Sequence, residues 1–161
     1  MRRRFFDDQP FTQDQPVTLG AGPSHHIAKV LRMNPGDELT LFNGRGGEWS
    51  AVLESVGKKS VTARPLAFHE RDRTAPVPVT LGLPLIKGDR MDYALQKATE
   101  LGVAAIRVLD TERTEVRLKG ERAAKKADHW WQVVISACEQ CGLNRPPALD
   151  GPLPLKDFLA A

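Results

Sequence analysis

Val79-Thr-Leu-Gly-Leu-Pro-Leu-Ile86, Lys87-Gly-Asp-Arg-Met-Asp-Tyr-Ala-Leu-Gln-Lys-Ala-Thr-Glu-Leu-Gly102 and Val103-Ala-Ala-Ile-Arg-Val-Leu109 read as strand, helix and strand without interruption. Both outer segments are apolar throughout instead of alternating, the pattern of strands covered on two faces in a parallel sheet. Between them, Met91, Leu95, Ala98 and Leu101 recur at helical spacing and should face a core. Asp89 is expected to cap this helix and Gly102 to end it in the left-handed region. Lys87, Arg90, Lys97 and Glu100 then fall near the ends or on the flanks, where a ligand can be met.

Downstream, the same grammar continues. A loop over 110–120 leads to a long helix from about Glu121 to Cys141, in which Ala127, Trp131, Val134, Cys138 and Cys141 step by four and three and predict one buried stripe. Gly142 ends it, a strand follows near Ala148–Leu149, and residues 154–161 open another helix. Open sheets of this kind bind ligands at the carboxyl ends of their strands. Thr111-Glu-Arg113 follows directly from such an end. Glu139, Gln140, Asn144 and Arg145 cluster where the long helix stops, and these groups are expected to converge with Arg113 on one pocket.

Upstream of the proline-punctuated stretch 71–78 the pattern differs. Short strands at 38–42, 48–53 and 59–68 surround the turn Asn43-Gly-Arg-Gly-Gly47, and one short helix near 24–31 interrupts them. Pro65 places part of the last strand at an edge or bulge. A small β-barrel over 1–73 followed by a parallel α/β layer over 74–161 is the expected organisation.

Composition excludes several classes. No apolar run approaches the roughly 18 residues of a membrane span. The start, Met1-Arg-Arg-Arg-Phe-Phe-Asp-Asp8, is basic but lacks a signal peptide's apolar stretch, so cytoplasmic residence is expected. Net charge is only +3, with 11 Lys/Arg against 9 Asp/Glu in residues 1–75 and 12 against 11 in 76–161. A nucleic-acid partner therefore requires a local patch, not a global field. Cys138-Glu-Gln-Cys141 has half-site spacing, but no second pair or matching His spacing accompanies it, and a helix C-terminus disfavours thiolate. No metal is expected. Gly20-Ala-Gly22 lacks the strand and helix context of a dinucleotide loop. At His25-His26 one ring should pack or cap while the other is exposed. Arg2, Arg3 and Arg4 beside Phe5 and Phe6 leave two readings open: a strand whose Phe residues fill the barrel while the arginines stay solvated, or phosphate contact with RNA.

Taken together, Arg3-Arg-Phe-Phe6, His25-His-Ile-Ala-Lys-Val-Leu-Arg32, Gly36-Asp37, Lys87-Gly-Asp-Arg-Met91, Gln96-Lys-Ala-Thr-Glu-Leu-Gly-Val103, Thr111-Glu-Arg-Thr114 and Glu139-Gln-Cys-Gly142 resemble the RsmE family, the 16S rRNA uridine-N3 methyltransferases. The resemblance spans nearly the whole chain in order. It implies an N-terminal PUA-like β-barrel that grips RNA, joined to the first half of a SPOUT methyltransferase domain, with S-adenosylmethionine as cofactor, 16S rRNA of the small ribosomal subunit as partner, and a homodimer. Leu143 stands where family members often carry Arg. The family's cofactor loops and knot lie beyond the matched region, so the chain is expected to be a truncated member lacking the cofactor site and inactive alone. Arg90, Glu100, Arg113, Glu139 and Gln140 are the expected catalytic residues. Arg90 and Arg113 would clamp phosphate or uridine oxygens, Glu139 and Gln140 would orient the base, and Glu100 would hold one of the cations in place. Arg2, Arg3, Arg4, Lys29, Arg32, Lys87, Lys97 and Arg145 are the expected RNA contacts. The competing reading is a non-catalytic RNA-binding module.

Overall fold

The computed structural model describes residues 3–114 and 116–161, and the chain separates into two units, Met1–Arg73 and Thr74–Ala161. In the first, β1 (Arg3–Phe6), β2 (Val17–Thr18), β3 (Glu38–Phe42), β4 (Glu48–Val56) and β5 (Val61–His69) form one sheet in the order β1-β3-β4-β5-β2. β1 runs parallel to β3, and the other neighbours are antiparallel. Alternation along the strands sends Phe5, Leu39, Leu41, Leu53 and Val61 inward to one core. The two edge strands are tied together just beyond their ends. The Gln9 amide donates to the Thr18 carbonyl at 2.9 Å and to the Asp7 carboxylate, which also accepts the Gly20 N–H at 3.0 Å. A curled sheet with tethered edges is the result, and it offers little free edge for aberrant pairing. Pro65 lies opposite Ala51 beside a register shift in β4, where a missing N–H is tolerated.

The helix expected near 24–31 starts earlier and changes character. α1 (Ala21–His25) passes into a π turn, His26–Val30, closed by Leu31 N–H to the His26 carbonyl at 2.9 Å. The wider turn keeps Ile27 fully buried while the chain reverses at Arg32. His26 packs edge-on against Phe5 with centroids 5.8 Å apart, and His25 is exposed.

In the second unit β6 (Thr80–Pro84), β7 (Ala105–Asp110) and β8 (Ala148–Pro154) are all parallel, in that order. α2 (Asp89–Glu100) and α3 (Glu121–Cys141) make the crossovers, and α4 (Leu155–Ala160) follows β8. Leu83, Leu85, Ile106 and Val108 meet Met91, Leu95, Ala98 and Trp130 in a second core. Phe158 of α4 lies on the sheet over Gly82, where a Cβ would come within 2.9 Å of its ring.

Three helix details differ from expectation. Gly88, not Asp89, precedes the first turn of α2, at φ +66, and Asp89 is its first helical residue. Leu101 is 82% exposed, because α2 ends at Glu100 and Gly102 (φ +84) swings the chain off the buried face. Thr99 is buried in its place, its hydroxyl donating to the Leu95 carbonyl at 2.8 Å. On α3 the buried aromatic is Trp130 and not Trp131, with Val134, Ile135, Ala137 and Cys138 completing a broader stripe.

Candidate functional site

All three strands of the parallel layer finish at one edge, and the residues just after them form the site. Past β7, Thr111–Thr114 is a tight turn. The Thr111 N–H donates to Thr114 Oγ1 at 3.0 Å, the Thr114 N–H donates to the Thr111 carbonyl at 3.0 Å, and the two hydroxyls are 2.9 Å apart. This locks the backbone and leaves Glu112 and Arg113 exposed at its tip. Past β6, Lys87 lies in the link to α2 and Arg90 in the first turn of that helix.

Lys87, Arg90 and Arg113 share a cleft of about 480 Å³ with Leu85, Ile86 and Val116. No acidic residue lines it among the described residues. A smaller pocket of about 220 Å³ continues past Leu85–Gly88 to Lys126 and Trp130. On the other side of Arg113 a larger open cleft, about 610 Å³, is lined by Asp110, Thr111, Glu112, Pro154, Leu155, Lys156 and Leu159. Arg113 therefore borders both of these clefts. Lys126 and Lys156 were not singled out by sequence; the only signal for them is that each falls within the first turns of a helix that starts at this edge.

The other expected site residues lie elsewhere, for a topological reason. A crossover helix begins where one strand ends and finishes where the next begins, so its two termini sit at opposite edges of the sheet. α3 has 21 residues, about 30 Å at 1.5 Å per residue. Glu139, Gln140 and Arg145 at its far end are thus carried away from Arg113, and the expected convergence does not occur. Gln140 lines a separate groove with Gln96, His129 and Ser136. Glu100 and Lys97, at the far end of α2, pair with each other at 2.9 Å. The hydrogen bond that Lys97 donates to the Glu100 carboxylate raises the Lys97 pKa above its ordinary value. The cation that Glu100 holds is therefore Lys97, and neither Arg90 nor Arg113.

In the first unit Arg4 is not available to RNA. Its side chain is 9% exposed, pairs with the nearly buried Glu48 carboxylate and lies 4.7 Å from the Phe42 ring centroid. Withdrawing it would leave the nearly buried Glu48 carboxylate with only the exposed Arg71 guanidinium, 3.3 Å away, as counter-charge among the described residues. Phe5 fills the core as the packing reading expects, but Arg4 is buried instead of solvated. Arg3, Lys29 and Arg32 are exposed, and Arg2 lies outside the described residues. Gly20 does follow a strand and precede a helix, contrary to expectation. The Asp7 carboxylate occupies its N–H, however, and α1 is only five residues long, so no phosphate loop results. Cys138 is buried, and no metal-binding cluster exists among the described residues.

Comparison with known proteins agrees with this architecture. A family model described as an RNA methyltransferase domain matches residues 73–161, and one described as an RNA methyltransferase PUA domain matches residues 24–66. Ribosomal RNA small subunit methyltransferase E of Bacillus subtilis is 34% identical over 149 residues, covering 91% of this chain and 58% of the relative. The protein of the same name from Mycobacterium bovis is 35% identical over 128 residues, covering 80% and 48%. A Legionella pneumophila methyltransferase solved with bound cofactor SAM superposes with a TM-score of 0.97 at 39% identity, over 99% of this chain and 66% of that one. Ribosomal RNA small subunit methyltransferase E of Neisseria gonorrhoeae, bound to S-adenosyl methionine, gives 0.94 at 38% identity, over 99% and 65%. The chain spans 58% of the length of the Bacillus relative. With a PUA-like sheet followed by SPOUT-type parallel α/β structure, and a family model covering more than half its length, the chain belongs to the RNA methyltransferase family, of the RsmE type.

Proposed function

We propose that this chain is the RNA-engaging part of an S-adenosylmethionine-dependent methyltransferase acting at N3 of a uridine in 16S rRNA of the small ribosomal subunit. The observation that carries the reading is the gathering of Lys87, Arg90 and Arg113 on one cleft at the C-terminal edge of the sheet. Cations beside the positive end of the α2 dipole repel one another unless an anion is present, and an RNA backbone is such an anion. Uridine N3 holds its proton at neutral pH and attacks a methyl donor only once that proton is gone. A guanidinium at a uridine carbonyl oxygen stabilises the resulting anion with a planar, permanently charged fork. Arg113, bordering both clefts on a hydrogen-bonded turn, is the residue best placed for this role, with Arg90 and Lys87 on phosphates.

S-adenosylmethionine, when bound, supplies a methyl group on a sulfonium. Pro154, Leu155 and Leu159 offer one apolar wall suited to an adenine ring, but the cleft is open on its other side. The openness of that cleft favours, as a second reading, an RNA-binding module without catalysis of its own. No helix among the described residues is long and apolar enough to cross a membrane. Cytoplasmic residence and homodimerisation belong to the same proposal, and the exposed Tyr93 and Leu101 of the α2 region support the latter.

Deleting the gene should remove one N3-methyluridine from 16S rRNA, read by nuclease digestion and mass spectrometry; an unchanged nucleoside profile overturns the reading. Calorimetric titration separates the two alternatives. The 161-residue chain should bind small-subunit RNA and give no heat with S-adenosylmethionine, whereas micromolar cofactor binding would show the slot to be complete.

A further inference from the structure

Residues 116–126 carry five cations, Arg117, Lys119, Arg122, Lys125 and Lys126, against Glu121 alone. This local excess is larger than the +3 of the whole chain, and a near-neutral protein needs such a patch to hold a polyanion. All five are exposed, and none pairs with a carboxylate among the described residues. Val116 and Leu118 are half-buried and line the pocket beside Lys87, which leaves Arg117 and Lys119 outside. In the first turns of α3, Lys125 and Lys126 stand three and four residues from Arg122 and share a face with it, and Ala123 and Ala124 add no bulk between them.

Helix electrostatics opposes this arrangement. The start of a helix is its positive end, yet α3 gathers all its Arg and Lys there and has none in its last turn, where they would be favoured. Folding gains nothing from charges so placed, whereas binding of a polyanion does. The patch also continues the cleft already described: Lys126 and Lys87 line one pocket, and Lys87 shares the next with Arg90 and Arg113. Residues 116–126 contain no aromatic side chain on which a base could stack, so the chemistry suits backbone phosphates.

We propose that the segment from Arg117 to Lys126 is a second RNA contact, holding the phosphates of the strand that runs on from the nucleotide at Arg90 and Arg113. This rests on the rRNA reading above and goes beyond it. The substrate is a strand longer than the cleft, gripped beyond the target without regard to base identity.

The test is filter binding of the 161-residue chain to a small-subunit RNA fragment over a range of salt concentrations. Arg122→Ala/Lys125→Ala should lower the salt slope by about 1.4 units, two contacts at about 0.7 each, and weaken binding about 25-fold at 0.1 M salt relative to 1 M. Changing the bases that flank the target should leave this loss as it is. Arg122→Lys/Lys125→Arg should keep the wild-type slope. Lys58→Ala/Lys59→Ala, which removes two exposed cations between β4 and β5, makes the same change in net charge and should leave the slope unaltered. An equal loss in that control would overturn the second contact by showing a general effect of charge. The melting temperature of Arg122→Ala/Lys125→Ala should hold or rise, and a fall overturns the electrostatic argument on which the inference stands. A wild-type chain that binds no RNA removes the rRNA reading and this inference with it, whereas wild type and Arg122→Ala/Lys125→Ala binding alike removes this inference alone.

Discussion

Replacing Arg90 and Arg113 together by alanine is expected to weaken binding of this chain to small-subunit rRNA by about 100-fold or more, with its melting temperature unchanged. Hydrogen bonds to charged groups are worth about 1.5–3 kcal/mol each, so two lost guanidinium contacts sum to about 3 kcal/mol at the low end. Both side chains are exposed and neither has a carboxylate partner among the described residues, so the folded state loses little without them. Electrophoretic mobility shifts at fixed salt, beside a thermal melt, check both halves. A drop of less than threefold would remove the cleft from the RNA path.

Gly151→Ala should destabilise the second unit by about 3–5 kcal/mol, combining the left-handed penalty with a backbone clash. Gly151 has φ +107, and a Cβ there would stand 2.3 Å from the Val108 carbonyl oxygen of the neighbouring strand. Backbone cannot swing aside as a flexible side chain can, so β7 and β8 must separate locally. Gly36 is the internal comparison, with φ +92 but open space around its Cβ position, so Gly36→Ala should lose only the conformational part, about 1–2 kcal/mol. Denaturant melts of both variants decide the matter, and equal losses would contradict the clash.

The β-α-β heart of the second unit was legible because buried parallel strands leave unbroken apolar runs and α2 leaves a helical period. What escaped follows from geometry that periodicity does not encode. Leu101 keeps the right spacing but falls one residue past the end of its helix. Trp130 and Trp131 are adjacent, and only packing against α2 and the sheet decides which is buried. Glu139 and Gln140 looked close to Arg113 because a helix end and a strand were adjacent in sequence, yet that strand begins there instead of ending. Arg4 counted as a surface cation, since charge counting does not reveal the nearly buried Glu48 opposite it. Lys87 and Arg90, read as charges at a helix end, and Arg113, read from a strand end, do line one cleft, because each stands close after a strand of the parallel layer.

Protein–RNA cross-linking of the chain on the small ribosomal subunit, with the linked peptides identified by mass spectrometry, addresses the placement of the RNA most directly. Adducts should fall on Lys87–Arg90 and Thr111–Thr114, at the edge where the parallel strands finish. Adducts confined to Lys97–Glu100 and Glu139–Arg145, at the opposite edge, would contradict it.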